Sequence, residues 1–328
     1  MKTIRMRSHH GPTNLAIMEH VLTTFDEDFF LIFENKNTLI VGRHQNTYDE
    51  VNAAFVKTYH PDIIRRLSGG GAVYQDVGNI NMVFITSAAY FNDFTRFTRP
   101  LIAVLRHLGV NAQFTGRNDI VINGKKVSGH AQAKRGARMI HGGTILFEAN
   151  LSIIVAALSP NTHKLNAKGV RSIASRIANV NPLLEKPLTK AQFKALLLQE
   201  VFGRTPTDAD IYQLSETDQQ EIERIKRARY ENPEWNVGKS PALKHRVTKR
   251  VGETTITVRY TTHEGCLSDL VIHSDALTDA NHSVLEAHFR GTPMTAVDLT
   301  QKACEAKTRG VDADLLKAVL ACLREDIP

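Results

Sequence analysis

Residues 119–129, DIVINGKKVSG, decide how the surrounding chain folds. Asn123-Gly124 supplies a two-residue turn at which positive φ costs little, between two β-branched runs, so the stretch reads as a β-hairpin. HGGTILF (141–147) is expected as its next sheet neighbour, and INMVFITSA (80–88) is apolar on both faces, the mark of a buried strand. FFLIF (29–33) and TLIVGRHQN (38–46) read as two further strands, joined at the polar turn ENKN.

Helices alternate with these strands. NLAIMEHVLTTF (14–25) places Leu15, Met18 and Leu22 at helical spacing, with Thr13 or Asn14 as the expected cap. FTRFTRPLIAVLRHLGV (94–110) carries an apolar stripe of Phe97, Leu101, Val104, Leu105 and Leu108 that ends at Gly109. The pattern loosens over 160–186, and helices are expected again over 189–202 and 215–229. The turn-rich NPEWNVGKSPALKHR (232–246) reads as a boundary, followed by a strand with Ile256, Val258 and Tyr260 on one face. The expected organisation is a large domain over 1–245 and a small α+β domain over 246–328.

Composition narrows the class. A chain of 328 residues with 42% hydrophobic and 23% charged residues is an ordinary globular protein, large enough for two domains. It holds no secretory signal pattern and no apolar run long enough to span a membrane. Three cysteines without a CxxC pair exclude a disulfide framework or a zinc site, and a cytoplasmic protein is the expectation. The excess of 41 basic over 34 acidic residues suits an anionic partner. A single Trp and no interleaving of aromatic with basic residues argue against nucleic acid.

The groups suited to anions occur in order along the chain. RRLSGGGAVYQD (65–76) sets Arg66 ahead of three glycines, whose N–H groups can turn toward one phosphate. No Gly-Lys-Ser/Thr follows, so it is not a P-loop, and a strand rather than a helix comes next. By itself the loop is equally compatible with a flexible turn and solvated arginines. Asn118 and Asp119 begin one strand of the hairpin and Lys126 lies on the other; the register decides whether Lys126 shares a cleft with Asp119. His141 precedes a Gly-Gly pair, where a structural histidine is the commoner case.

At these residues the chain resembles the lipoate–protein ligase A family over nearly its whole length. RRLSGGGAVYQDVGN (65–79) is similar to the family's RRxSGGGxVxHDxGN loop, and TGRNDIVINGKKVSGHAQ (115–132) to its GRNDIxxxGKKxSGNAQ segment. IVGRHQNTYDEVN (40–52), HGGTILF, KGVRSIASRIANV (168–180) and YENPEWNVGKSP (230–241) match four more blocks. The resemblance implies an α/β (α+β) fold: a mixed-sheet large domain like that of biotin and lipoate ligases, with a small C-terminal accessory domain. It implies an ATP-dependent ligase that converts lipoate or octanoate to the acyl-adenylate and passes the acyl group to a lysine of an acceptor. Lipoyl domains of 2-oxoacid dehydrogenase E2 subunits and the glycine-cleavage H protein are the implied acceptors, and the enzyme is expected to be a monomer.

Carried over by position, Arg66, Gly71, Ala72, Val73, Tyr74, Asn118 and His141 are implied at the nucleotide. Lys126 is the implied catalytic group, touching both phosphate and acyl carbonyl, and Asp119 is implied to help hold Mg²⁺. The alternative is an ATP-independent acyl transferase between carrier proteins. Such enzymes use a cysteine near the site, whereas Cys266, Cys304 and Cys322 all lie in the C-terminal region. The chain departs from the family pattern at Gln75, where the family has His, and at His130, where it has Asn. These departures bear on acyl-chain or acceptor preference.

Overall fold

The Asn-Gly turn forms as its residues require, with φ of 51° at Asn123 and 73° at Gly124. The computed structural model in which it was observed describes residues 1–158, 176–237, 243, 245–251, 254–275, 282–308 and 311–325. The segment expected to be loose over 160–186, and the family block at 168–180, thus lie largely outside the described residues.

In chain order the elements are α1 (Gly11–Thr24), β1 (Phe29–Phe33), β2 (Thr38–Val41), α2 (Thr47–Glu50), α3 (Ala53–Tyr59), β3 (Asp62–Arg65), β4 (Val73–Gln75) and β5 (Asn79–Ser87). There follow α4 (Phe94–His107), β6 (Ala112–Phe114), β7 (Asp119–Ile122), β8 (Lys125–Arg135), β9 (Arg138–Leu146), α5 (Leu151–Ala157), α6 (Lys190–Phe202), α7 (Glu216–Ile225) and α8 (Pro233–Asn236). The last elements are β10 (His245–Val251), β11 (Thr254–His263), β12 (Cys266–Ser274), α9 (His282–Phe289), α10 (Ala296–Thr308) and α11 (Ala313–Leu323).

The chain divides into two compact units: Met1–Val41 with Thr47–Arg66 and Ala72–Val237, and Gly42–Asn46 with Leu67–Gly71 and Gly238–Pro328. In the first, a six-stranded sheet runs β1-β5-β9-β8-β7-β6 and a three-stranded sheet runs β3-β2-β4. The first sheet is antiparallel throughout; the second is mixed, β2 being parallel to β3 and antiparallel to β4. The fold is therefore α/β with antiparallel and mixed sheets, as expected. β9 is the neighbour of β8, also as expected, and β5 is buried along nearly its whole length.

One face of the large sheet carries Ile80, Met82, Phe84, Ile120, Ile122 and Ile145, packed against Phe97, Leu101, Val104 and Leu105 of α4 and Phe193 and Leu197 of α6. This is the main core. Gly109 closes α4's end at φ 82°, as its stripe predicts.

One expectation fails locally. α1 starts at Gly11 with His10 as a cap whose side chain makes no capping bond, because Pro12 favours the first turn and draws the helix start upstream of Thr13 and Asn14. Asn14 is instead fully buried and donates to Asn35 Oδ1 at 2.8 Å.

In the second unit, β10-β11-β12 form an antiparallel sheet with Ile256, Val258 and Tyr260 inward, packed against Leu285, Leu299, Leu315 and Val319 of its helices. Among the described residues no helix is long and apolar enough to cross a membrane.

Candidate active site

Lys126 owes its position to an irregularity in pairing. Asp119 pairs with Gly129 and Ile120 with Ser128, but Val121 pairs with Lys126, so Val127 is an extra residue in β8. Residues opposite one another share a face, and a one-residue slip turns a side chain to the other side. Without the bulge Lys126 would stand opposite Ile122, on the helix-covered core face. With it, Lys126 joins Asp119 and Gly129 on the other face, and Val127 is the residue buried in the core. The backbone is held in turn: Lys126 N–H donates to Arg176 C=O at 2.8 Å, and Lys126 C=O accepts from Ala178 N–H at 3.0 Å.

Lys126 Nζ lies 2.8 Å from Asp119 Oδ1. The contact is a charge pair rather than an aligned hydrogen bond, and Oδ1 has no other partner among the described residues. Both side chains are partly exposed, so the pair is worth no more than about 1 kcal/mol and exchanges readily for a ligand anion. The lysine lies flat across Gly129, where a Cβ would come within 2.9 Å of its Cε and Nζ. Beyond Gly129 on the same face come Ala131, Gly142 and Val83, and a Cβ at Gly142 would meet nothing within 4 Å. Asn118 is tied to β8, its Nδ2 donating to His130 C=O at 3.0 Å and its C=O accepting from His130 N–H at 2.8 Å.

The two adjacent arginines part company. Arg65 is wholly buried: its guanidinium donates to Trp235 C=O (3.1 Å), Asn236 C=O (3.1 Å) and Thr47 Oγ1 (2.9 Å). It is a structural clamp. Arg66, just past the end of β3, is half-buried and reaches Ile40 C=O at 3.3 Å. Burial pushes its guanidinium down to about 10 against the opposing pull of Glu50, so it remains charged at neutral pH. Ala72 and Val73 lead into β4, the edge of its sheet, which turns one row of backbone groups away from β2. Tyr74 packs its ring in the core against Phe55 and donates its hydroxyl to Asn37 Oδ1 at 3.0 Å, leaving its backbone for any ligand.

Gln75 is the hub of a buried, uncharged amide cluster that sequence reasoning missed. Its Oε1 accepts from Asn35 Nδ2 (2.7 Å) and Asn81 Nδ2 (3.2 Å), and its Nε2 donates to Asn81 Oδ1 (2.7 Å) and Thr144 Oγ1 (2.9 Å). Asn81 and Thr144 share the face of Gly129, so the cluster borders the site. Asp76 is a turn anchor, accepting from the N–H groups of Gly78 and Asn150, each at 2.8 Å.

The structure does not bring His141 to Lys126's face. His141 lies in the core, stacked on Phe97 at 4.7 Å, with its ring nitrogens on His130 and Gln132. Burial holds both histidines far below the usual imidazole range, His130 at about 3.

Gly71 belongs to the second unit. There Arg43 N–H donates to Ser68 C=O at 2.9 Å, and Ser274 N–H to His44 C=O at 2.8 Å. A Cβ at Gly42 would stand 1.9 Å from Gly70 O, whereas one at Gly71 would meet nothing within 4 Å.

Among the described residues no three His, Cys, Asp or Glu side chains are grouped to hold a metal ion. The single Asp119 carboxylate, buried at Oδ1 and held among the described residues by Lys126, suits Mg²⁺, which takes one or two protein carboxylates when phosphates supply the remaining oxygens.

Residues 10–202 match the family model of the lipoyl protein ligase A/B catalytic domain. The chain is 36% identical over 280 residues to lipoate–protein ligase 1 of Staphylococcus aureus, covering 84% of this chain and 85% of that one. It is 37% identical over 267 residues to the lipoate-protein ligase LplJ of Bacillus subtilis, covering 80% and 81%. Among solved structures, LipL1 of P. falciparum in complex with lipoate superposes with a TM-score of 0.81 at 22% identity, over 97% of this chain and 98% of that one. A lipoate-protein ligase A bound with ATP gives a TM-score of 0.62 at 22% identity, over 72% and 98%. These two structures are alike in fold.

Proposed function

The chain belongs to the lipoyl protein ligase A/B family, and from that membership we propose an ATP-dependent lipoate–protein ligase. A carboxylate oxygen of lipoate, or of octanoate, attacks the α-phosphorus of ATP; the acyl-adenylate forms and pyrophosphate leaves. The amine of an acceptor lysine then attacks the acyl carbonyl, forming the amide and releasing AMP. The observation that carries this reading is the bulge at Val127, which brings Lys126 out of the core and onto the face of Asp119.

The first step brings two anions together, and this chain supplies the neutralising charges. Lys126 exchanges Asp119 for the carboxylate and phosphate oxygens, then polarises the acyl carbonyl in the second step. Arg66 contributes a forked cation, and the backbone of Ala72, Val73 and Tyr74 holds the nucleotide. Gly71 keeps the role given by its motif, a backbone N–H for phosphate. Asn118 serves the phosphates beside Asp119, and Asp119 holds Mg²⁺, which supplies Lewis-acid neutralisation of phosphate charge when bound. His141 supports this arrangement from the opposite face of the sheet. The floor of Gly129, Ala131 and Gly142 beside Val83 takes the acyl tail. Burying about five methylenes there contributes on the order of 4 kcal/mol.

The division of labour proposed is catalysis in 1–245 and an accessory role for 246–328. No covalent enzyme intermediate is needed. Cys322 is buried, which pushes its thiol up to about 11 and makes it a poor nucleophile. The acceptors proposed are E2 lipoyl domains, the glycine-cleavage H protein or both, met by a monomer in the cytoplasm. A bi-partite ligase of Thermoplasma acidophilum, similar in fold with a TM-score of 0.65, was described together with its E2 lipoyl domain.

One assay tests the reading: ATP, Mg²⁺ and lipoate or octanoate, with a panel of acceptor domains followed by mass. Pyrophosphate release that depends on the fatty acid is expected; release without it, or none, rules the ligase out. Alanine at Cys266, Cys304 and Cys322 together is expected to leave turnover intact, and its loss favours the thiol-dependent transferase.

A further inference from the structure

Four polar side chains run in file across the core face of the six-stranded sheet, behind the site. Gln132 Oε1 accepts the Asn92 backbone N–H at 2.7 Å, so its amide group faces His141 Nδ1, 2.9 Å away, and donates to it. That bond fixes every proton after it. The His141 proton sits on Nε2 and goes to His130 Nδ1 at 3.0 Å; the His130 proton sits on Nε2 and goes to Ser128 Oγ at 3.0 Å. A neutral imidazole has one donor and one acceptor, so the file has a single direction. Both rings are held neutral by burial, with the charge of Lys126 adding to the effect at His130.

His130 reaches both halves of the Lys126–Asp119 pair. Its side chain holds Ser128, the residue after the bulge, and its backbone exchanges two hydrogen bonds with Asn118, the residue before Asp119. Its ring is seated over Gly143, where a Cβ would come within 2.5 Å of the imidazole. His141, the ring that orients it, is itself fixed by stacking on Phe97 and by Phe94 at 5.5 Å. We propose that His130 is a positioning residue: it locks Ser128 and Asn118 together so that the bulge keeps Lys126 on the face of Asp119.

The consequence for turnover rests on the ligase reading; the positioning does not. The test uses the full chain with His130→Leu, which keeps bulk and the backbone bonds to Asn118 but loses the ring's bonds to Ser128 and His141, and His130→Gln, which keeps one acceptor and one donor. Ser128→Ala, which breaks only the last bond, stands in if the leucine variant folds poorly. Lys126 reactivity is read by competitive acetylation with acetic anhydride and mass spectrometry, with Lys57 and Lys134 as internal references. The leucine variant is expected to raise Lys126 reactivity several-fold and to lower kcat by about tenfold or more with KM for lipoate little changed, as a misplaced reacting group does. The glutamine variant is expected to restore both toward wild type. Equal Lys126 reactivity in all variants overturns the proposal, as does a glutamine variant no better than leucine. Because labelling needs no turnover, an inactive wild type counts against the ligase reading while the labelling still decides the role of His130.

Discussion

Single residues carry the chemistry through what lies beneath and beside them. Lys126→Ala removes the group that neutralises the first step and polarises the carbonyl in the second. Lipoyl-adenylate formation is expected to fall by at least about 10²-fold, as on loss of a charge-stabilising group, with the thermal midpoint little changed because the Asp119 pair contributes little. Gly129→Ala is a subtler probe. The new methyl meets only the far end of a flexible side chain, so the protein folds, but Lys126 is pushed off its seat and kcat drops more than KM rises. Gln75→His tests the amide cluster. The glutamine serves two acceptors and two donors at once, and an imidazole cannot match that. Rate or acyl specificity is expected to change modestly, while the unsatisfied amides cost about 1–3 kcal/mol of stability, measured by urea unfolding.

At the scale of elements, the decisive feature is that β8 holds an odd residue. Deleting Val127 is expected to restore an unbroken ladder with Lys126 still opposite Val121 and on Asp119's face, so turnover survives while loss of the buried valine lowers the urea midpoint. The hairpin was legible because Asn123-Gly124 and its β-branched flanks dictate it. The bulge was not, since Val127 is as apolar and β-branched as a regular strand residue would be. Arg65 and Arg66 were likewise indistinguishable in sequence, and what separates them is a set of acceptors on α8, 170 and 171 residues further on. The pairing of His130 with His141 depends on strand register between β8 and β9, which the pattern of apolar residues leaves open on that face. His141 was readable as a site residue only from its motif, and its place in the core follows from that register.

The whole molecule should be acid-labile in two stages. An unfolded imidazole takes up a proton near pH ~6.5, whereas burial holds folded His130 neutral down to about 3, and His141 is shifted the same way. Between those limits the unfolded state binds more protons, so stability falls as pH falls, by up to about 1.4 kcal/mol per pH unit for each ring. Asp218 adds the second stage. Burial would raise its carboxyl, but bonds from Ser215, His20 and Tyr212 outweigh that and bring it to about 2. Its contribution is complete above the unfolded carboxyl value of about 3.9 and is lost as pH falls toward 2. The urea midpoint is therefore expected to be flat above neutrality, to decline below pH ~6.5 and to steepen below ~4. A midpoint unchanged between neutrality and pH ~5 contradicts this, and His130→Leu is expected to shallow the first decline.

The burial of Arg65 also has a consequence for the order in which the chain assembles on the ribosome. A guanidinium does not give up its proton, so full burial of β3 is favoured once Trp235 and Asn236 offer their carbonyls. Those acceptors emerge 170 and 171 residues later, an interval of about 10–30 seconds at ordinary elongation rates. Until then β3 lacks the carbonyls of Trp235 and Asn236 that hold its guanidinium in the folded chain, and the nascent chain is expected to remain protease-sensitive around residue 65. Stalled chains released just before and just after residue 236 should differ sharply in that sensitivity.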